Sequence, residues 1–117
     1  MADELDAQKA FLTWEESAAV LQTDANQGIA RAQRLLAMRY LRGRGVPKYE
    51  AIAFYWMQLA AQQHFAMAQR SLCELYENGL GIVLNLTLAS DWYCLAALQG
   101  DSTAQKHLQR LAQSNPA

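Results

Sequence analysis

The sequence has little of what interrupts helices or favours strands. Its 117 residues include two prolines and six glycines, and β-branched residues are few, whereas the good helix formers Ala, Leu, Gln and Arg dominate. This composition favours an all-α protein, and the length fits one domain, 1–117, with no room for a second. Because 52% of the residues are hydrophobic and 18% are charged, the chain can bury a core and does not resemble a disordered protein.

An excess of charge of either sign is also lacking, since ten Lys and Arg oppose eleven Asp and Glu. Nucleic-acid-binding proteins usually carry a basic excess, because neutralising phosphates supplies most of their affinity. We therefore expect no nucleic-acid partner, although a balanced total leaves room for a local basic patch.

Long hydrophobic runs are missing as well. No stretch approaches the ~18 apolar residues that indicate a membrane span, and the acidic N-terminal segment lacks the apolar core of a signal peptide. We therefore expect a cytoplasmic protein with no membrane span. In that compartment, Cys73 and Cys94 are more often free thiols than a disulfide.

What the sequence does have is an internal repeat of 36 residues that needs no gap. The matching positions include a tryptophan and a Gly-x-Gly in each unit. They are Ala32/Ala68/Ala104, Gln33/Gln69/Gln105, Leu36/Leu72/Leu108, Tyr40/Tyr76, Gly43/Gly79, Gly45/Gly81, Ala53/Ala89, Trp56/Trp92, Ala60/Ala96, Ala61/Ala97 and Gln63/Gln99. So many matches in one register leave chance a poor explanation, and a repeat of this length indicates a solenoid.

The spacing within each unit predicts two helices. An apolar stripe at four-residue spacing predicts a first helix over 29–42, which the Gly-x-Gly ends by supplying positive φ values. A second stripe of Ala and Trp predicts a helix over 50–63. The second unit repeats both helices, over 65–78 and 86–99, with Asn85 at the N-cap of the latter.

Both ends of the chain are half-units. Residues up to 27 predict an N-terminal capping helix whose apolar stripe includes Phe11 and Trp14, and residues 101–113 predict a C-terminal capping helix with a polar outer surface. Solenoids need such caps for solubility. We therefore expect six helices, with full repeats at 29–64 and 65–100, forming a whole small solenoid.

The pattern A-x-x-x-L-(small)-x-x-Y-x-x-G-x-G-V, followed by A-x-x-W-x-x-x-A-A-x-Q-G, resembles the Sel1-like repeat. That family is a relative of the tetratricopeptide repeat, and the resemblance covers about residues 25–112. It implies a short right-handed α-α superhelix that binds another protein. The closing glycine of the family is replaced by His64 between the two units, where histidine tolerates a left-handed backbone better than most residues. Some secreted members staple each hairpin with a disulfide, but the first unit has no cysteine pair, which favours free thiols here.

Motifs that carry chemistry are not found. The sequence contains no HExxH, P-loop, GxSxG or CxxC pattern, and His64 and His107 are explained by structural positions in a turn and in the capping helix. The repeated tryptophans and tyrosines are explained as core residues rather than as a ligand cage. We expect a protein that is not an enzyme and that has no cofactor and no metal.

By the resemblance, the first helices of successive units line a concave groove. The predicted lining is Arg31, Arg34, Met38 and Leu41, then Met67, Arg70, Glu74 and Glu77, then Thr103, Lys106 and Arg110. Arg34, Arg70 and Lys106 are cations at one repeat position. Such a row can hold an acidic peptide or a C-terminal carboxylate through charge-assisted hydrogen bonds. The alternative is a solvated helix face. In either case, Glu74 and Glu77 lie nearby and can neutralise part of the row.

The loop 80–88 is a second candidate surface, because it places apolar residues in a turn that is normally exposed. These residues are Leu80, Val83, Leu84 and Leu86. Exposed apolar patches often mark interaction surfaces, although some of these side chains can instead fold inward.

Two functions therefore stay open at the level of sequence. The first is an adaptor or regulator that binds another protein or peptide in the groove. The second is a self-associating structural subunit, such as a homodimer, that uses Phe11, Trp14 or the loop 80–88 in a symmetric interface.

Overall fold

The computed structural model describes residues 12–114, which form six α-helices and no strand. Each helix has 13 residues. They are α1 Trp14–Asn26, α2 Ala30–Arg42, α3 Glu50–Gln62, α4 Ala66–Asn78, α5 Leu86–Leu98 and α6 Ser102–Ser114. The helices predicted from the repeat are confirmed, with bounds that differ by about one residue. Phe11, which was predicted for the N-terminal helix, lies outside the described residues.

Each helix packs mainly against the next one along the chain, and the stack measures 63 × 28 × 21 Å. Contacts limited to neighbouring elements are typical of a solenoid, in which each repeat touches only those beside it. The all-α repeat fold predicted from the sequence is confirmed.

The helix interfaces are built from small side chains. Alanines at repeated positions are completely buried, among them Ala53 and its equivalent Ala89, and they let neighbouring backbones approach closely. Larger side chains fill the remaining volume, including Met57 and its repeat equivalent Tyr93, both fully buried. Trp56 is partly buried and packs on the core, as predicted.

A ladder of glutamines joins successive repeats. The side-chain amide of Gln33 donates to the Ala25 carbonyl at 3.2 Å, and its side-chain oxygen accepts from Gln63 at 2.9 Å. The second unit repeats both bonds, with Gln69 bonded to the Ala61 carbonyl and to Gln99. Because Gln33 and Gln69 are buried, these bonds satisfy polar groups that water cannot reach.

The turn glycines dock each hairpin loop onto the preceding unit. Gly45 has a φ of +80°, and a Cβ there would overlap the carbonyl of Trp14 at the start of α1. Gly81 has a φ of +75°, and a Cβ there would overlap the carbonyl of Glu50 at the start of α3. His64 has a φ of +63°, which confirms that it occupies a left-handed turn position.

Candidate functional site

Three helices share the face that the sequence predicts as a groove. The Nε of Arg34 on α2 lies 3.4 Å from the Oγ of Ser71 on α4 and donates a long hydrogen bond to it. Across the next interface, an Nη2 of Arg110 on α6 lies 2.6 Å from an oxygen of Glu77 on α4. These contacts place side chains of α2, α4 and α6 next to one another.

The cation row predicted along this face does not form a uniform ladder. Arg70 is neutralised within the chain, because its Nε lies 3.2 Å from the Asp101 carboxylate, and Glu74 lies 4.0 Å away on the same helix. Lys106 is exposed and forms no ion pair with any residue in the range 12–114. The row is therefore partly neutralised, at Arg70, by Asp101 and by the neighbouring Glu74.

Arg34 differs from Arg70 although the two residues occupy the same repeat position. The position that corresponds to Asp101 in the first unit is held by Phe65, and no carboxylate of the described part of the chain lies within ion-pair distance of Arg34. Partial burial and the neighbouring Arg70 charge both lower the pKa of Arg34, while Glu74 opposes this. The Arg34 guanidinium is thus a half-buried cation without a carboxylate partner among these residues.

Glu77 and Arg110 belong to a closed polar cluster. In addition to its ion pair with Arg110, Glu77 accepts a hydrogen bond of 3.0 Å from the hydroxyl of the buried Tyr93. The ring of His107 stacks on Tyr93 with centroids 4.9 Å apart, which agrees with a structural role for this histidine. Burial and the Glu77 carboxylate raise the pKa of Tyr93 well above its usual range. This cluster ties α4, α5 and α6 together, so Glu77 has little capacity left for a partner.

A pocket of about 330 Å³ opens at the α1–α2 end of the same face. We call it the arginine pocket. Its lining is Trp14, Arg34, Leu35, Met38, Arg39, Arg42 and Arg44. Arg39 donates a 3.2 Å hydrogen bond to the Trp14 carbonyl, and its guanidinium carbon lies 4.6 Å from the centroid of the Trp14 ring. Arg44 approaches the same ring at 5.1 Å, so two cations hold the indole through cation–π contacts.

Of the predicted groove residues, Arg34 and Met38 line this pocket, and the remainder lie beyond it. Arg31, Met67, Thr103 and Arg110 are exposed, whereas Leu41 is partly buried and packs against the main core.

The repeat pattern does not indicate Arg39, Arg42, Arg44 or the role of Trp14, because these residues do not recur in the second unit. The available signal was a local charge imbalance. Five of the seven arginines fall within residues 31–44, and residues 25–49 include no Asp or Glu. This is the local basic patch for which the balanced total charge left room.

The loop 80–88 is divided between core and surface. Leu80 is partly buried and packs against the main core, which is the inward orientation that the sequence left open as an alternative. Val83 is 83% exposed, and Leu84 and Leu86 are also exposed. The apolar surface therefore begins after Gly81.

The two cysteines are free, as predicted. Cys73 is buried, donates from its thiol to the Gln69 carbonyl, and has a pKa raised well above its usual value by burial. Cys94 is exposed on α5. No group of three or more potential metal-binding side chains occurs within residues 12–114. None of the six helices is both long enough and apolar enough to cross a membrane.

Comparison with known proteins agrees with this architecture. A solved Sel1 repeat protein from Oxalobacter formigenes is 41% identical, with a TM-score of 0.78 over 81% of this chain and 71% of that one. A protective antigen of uropathogenic Escherichia coli strains that displays an SLR fold is 27% identical, with a TM-score of 0.84 over 87% of this chain. This chain spans only 22% of the length of that antigen. No functionally curated protein shows significant sequence similarity to the chain.

The model of the Sel1 repeat family matches two segments, residues 30–65 and 66–101. These segments coincide, to about one residue, with the two units that the internal register and the helix bounds define. The chain therefore belongs to the Sel1 repeat family.

Proposed function

We propose that this protein is a non-enzymatic adaptor or regulator that binds a segment of another protein along the face formed by α2, α4 and α6. Proteins of the Sel1 repeat family generally mediate protein–protein interactions and are typically not catalytic. The observation that carries the proposal is the juxtaposition of side chains from three successive first helices on one face. The proposed contact residues are Arg31, Arg34, Met38, Arg70, Glu74, Lys106 and Arg110.

Site-specific photo-crosslinking tests this proposal. A photoreactive amino acid replaces Arg31 or Lys106, which are exposed on the proposed binding face, and a matched variant carries it at Asp91, which is exposed on α5. The expected result is that a partner is crosslinked from Arg31 and Lys106 and not from Asp91. Crosslinking of the same partner from Asp91 alone would contradict binding on this face.

Self-association is the second candidate, and the exposed apolar residues after Gly81 are the observation that favours it. Val83, Leu84 and Leu86 are exposed, and Leu98 at the end of α5 is 85% exposed. A symmetric dimer could bury such surface in both copies. Sedimentation velocity of the wild type and of a Val83→Ser/Leu84→Ser variant tests it. A concentration-dependent dimer that the variant loses supports self-association, and a monomer throughout the concentration series counts against it.

A further inference from the structure

The arginine pocket combines four guanidinium groups with an apolar wall. The cations belong to Arg34, Arg39, Arg42 and Arg44, and none of the described residues that line the pocket carries a carboxylate. We infer that the arginine pocket binds an acidic side chain of a partner protein segment, together with an adjoining apolar side chain. This inference rests on the proposed function and specifies the partner's chemistry and the end of the face where it is held.

The second repeat shows how the fold neutralises an arginine at this position. The carboxylate of Asp101 approaches the Nε of Arg70 at 3.2 Å and also caps the start of α6 through the amide of Ala104. In the first repeat the corresponding residue is Phe65, and Arg34 is left with a neutral hydroxyl partner, Ser71. A carboxylate from a partner would form with Arg34 the ion pair that Asp101 forms with Arg70.

The other three arginines strengthen the preference for an anion. No ion pair forms between Arg39, Arg42 or Arg44 and any carboxylate of residues 12–114, so their mutual repulsion is not offset locally. Guanidinium groups bind carboxylates through paired, charge-assisted hydrogen bonds. An anion that enters the pocket therefore gains these bonds and also lowers the repulsion among the cations.

The apolar lining indicates that the ligand is more than a bare anion. Trp14 is 53% exposed and is held in place by Arg39 and Arg44, while Leu35 and Met38 supply aliphatic surface. The volume of about 330 Å³ lies within the range of about 300–1,000 Å³ that is typical of ligand sites. An acidic residue beside a leucine or an aromatic residue matches both parts of the lining.

The surrounding charges favour a short acidic segment of a protein over a nucleic acid. A nucleic acid needs a continuous basic track for its phosphates. Here the basic surface is local, because Arg70 and Arg110 are paired within the chain and Glu74 lies beside Arg70. The net charge of the whole chain is −1.

Peptide binding tests the inference on the full chain. The probes are a fluorescein-labelled peptide in which Glu alternates with Leu, the same peptide with Gln in place of Glu, and one with phosphoserine in place of Glu. Binding is measured by fluorescence anisotropy to the wild type, to Arg42→Glu/Arg44→Glu, to the milder Arg42→Gln/Arg44→Gln, and to the control Lys48→Glu. The control changes the net charge by as much as Arg42→Gln/Arg44→Gln does, and Lys48 is exposed and lies outside both the pocket lining and the proposed contact residues. Circular dichroism confirms that each variant is folded.

We expect the Glu peptide to bind the wild type and the control alike, and the Arg42→Glu/Arg44→Glu variant to bind it at least about tenfold more weakly. The Gln variant should bind with intermediate affinity. The inference is overturned if the Glu and Gln peptides bind equally, if the Glu peptide does not bind, or if only the phosphoserine peptide binds. It is also overturned if the control Lys48→Glu loses as much affinity as the charge-matched Arg42→Gln/Arg44→Gln. A partner that crosslinks from Arg31 and Lys106 but binds the pocket variant normally would leave the proposed function intact and reject only this inference.

Discussion

At the scale of single residues, the buried glutamines explain how neighbouring repeats are joined in one register. Gln69 donates to the last turn of α3 and accepts from Gln99 at the end of α5, so one side chain contacts the C-terminal ends of two helices. An apolar residue of similar size could fill the volume but could not bond to either group. Buried polar groups that lose a partner cost free energy, which makes these positions sensitive to substitution.

Replacing Gln69 by Leu should lower the free energy of unfolding by about 1–3 kcal/mol, because the buried carbonyl of Ala61 loses this donor. The matched control is Gln105→Leu. Gln105 makes the equivalent bond to Ala97 in the C-terminal helix but is exposed, so water can replace its bond. Urea unfolding followed by circular dichroism measures both variants. Equal losses for the two would contradict the role of burial.

The cysteines offer a second test at this scale. Cys94 is exposed, whereas Cys73 is buried and its raised pKa keeps its thiol protonated above the ordinary value of 9.0. A thiol reagent should therefore label Cys94 quickly in the native protein and Cys73 only on unfolding. Cys94→Ser should abolish the fast phase. Two slow phases would contradict the exposure of Cys94, and no labelling until a reductant is added would contradict free thiols.

The same pKa shift predicts how stability depends on pH. Above pH 9.0 the thiol of Cys73 in the unfolded chain loses its proton, while the folded chain retains it. The unfolded state then gains stability relative to the folded state, so the free energy of unfolding should fall as the pH rises past this value. The raised pKa of Tyr93 acts in the same direction above 10.0. Urea unfolding at a series of pH values measures this, and stability that rises over this interval would contradict it.

At the scale of the helix, the two units differ at the start of their second helices. Asn85 caps α5 by accepting from the amide of Leu88 at 3.0 Å, with φ −151° and ψ 99°. Tyr49 occupies the equivalent position before α3 with nearly the same backbone, φ −154° and ψ 98°, but provides no side-chain cap. The backbone of the first unit is therefore already in the conformation that a capping side chain needs.

Tyr49→Asn should raise the free energy of unfolding by about 0.5–1 kcal/mol, because it supplies the missing cap. Asn85→Ala should lower it by ~1 kcal/mol for the converse reason. Tyr49→Ala, which removes the same ring without adding a cap, is the control for the first change. Thermal unfolding measures all three, and a Tyr49→Asn protein no more stable than Tyr49→Ala would contradict the capping argument.

The helices were predictable from the sequence because the register of 36 residues fixes which positions are equivalent, and the alanine and tryptophan stripes fix which face is buried. The arginine pocket was not predictable in this way. It joins the first residue of α1, the outer surface of α2 and Arg44 of the following loop, and none of its three additional arginines has a basic equivalent in the second unit. The ion pair between Arg70 and Asp101 was not predictable for a related reason. The equivalent of Asp101 in the first unit is Phe65, so the repeat pattern does not mark this position as acidic.

At the scale of the whole molecule, the solenoid separates surfaces along a length of 63 Å. The basic surface lies at the α1–α2 end, the closed cluster around Glu77 joins α4 to α6, and the exposed apolar residues follow Gly81 on the second hairpin. Because the net charge is close to zero, attraction of an acidic partner depends on the electrostatic field of the basic surface at the α1–α2 end rather than on the total charge. Binding to the arginine pocket should consequently weaken as the salt concentration rises.

The most direct test of partner binding at this face is chemical-shift mapping of the ¹⁵N-labelled chain with the Glu-Leu peptide described above. We predict that the largest changes fall on Trp14, including its indole N–H, and on residues 34–44, with smaller changes along α4. Changes confined to residues 82–88 and α5 would contradict the account, because they would place the ligand on the apolar surface of the second hairpin.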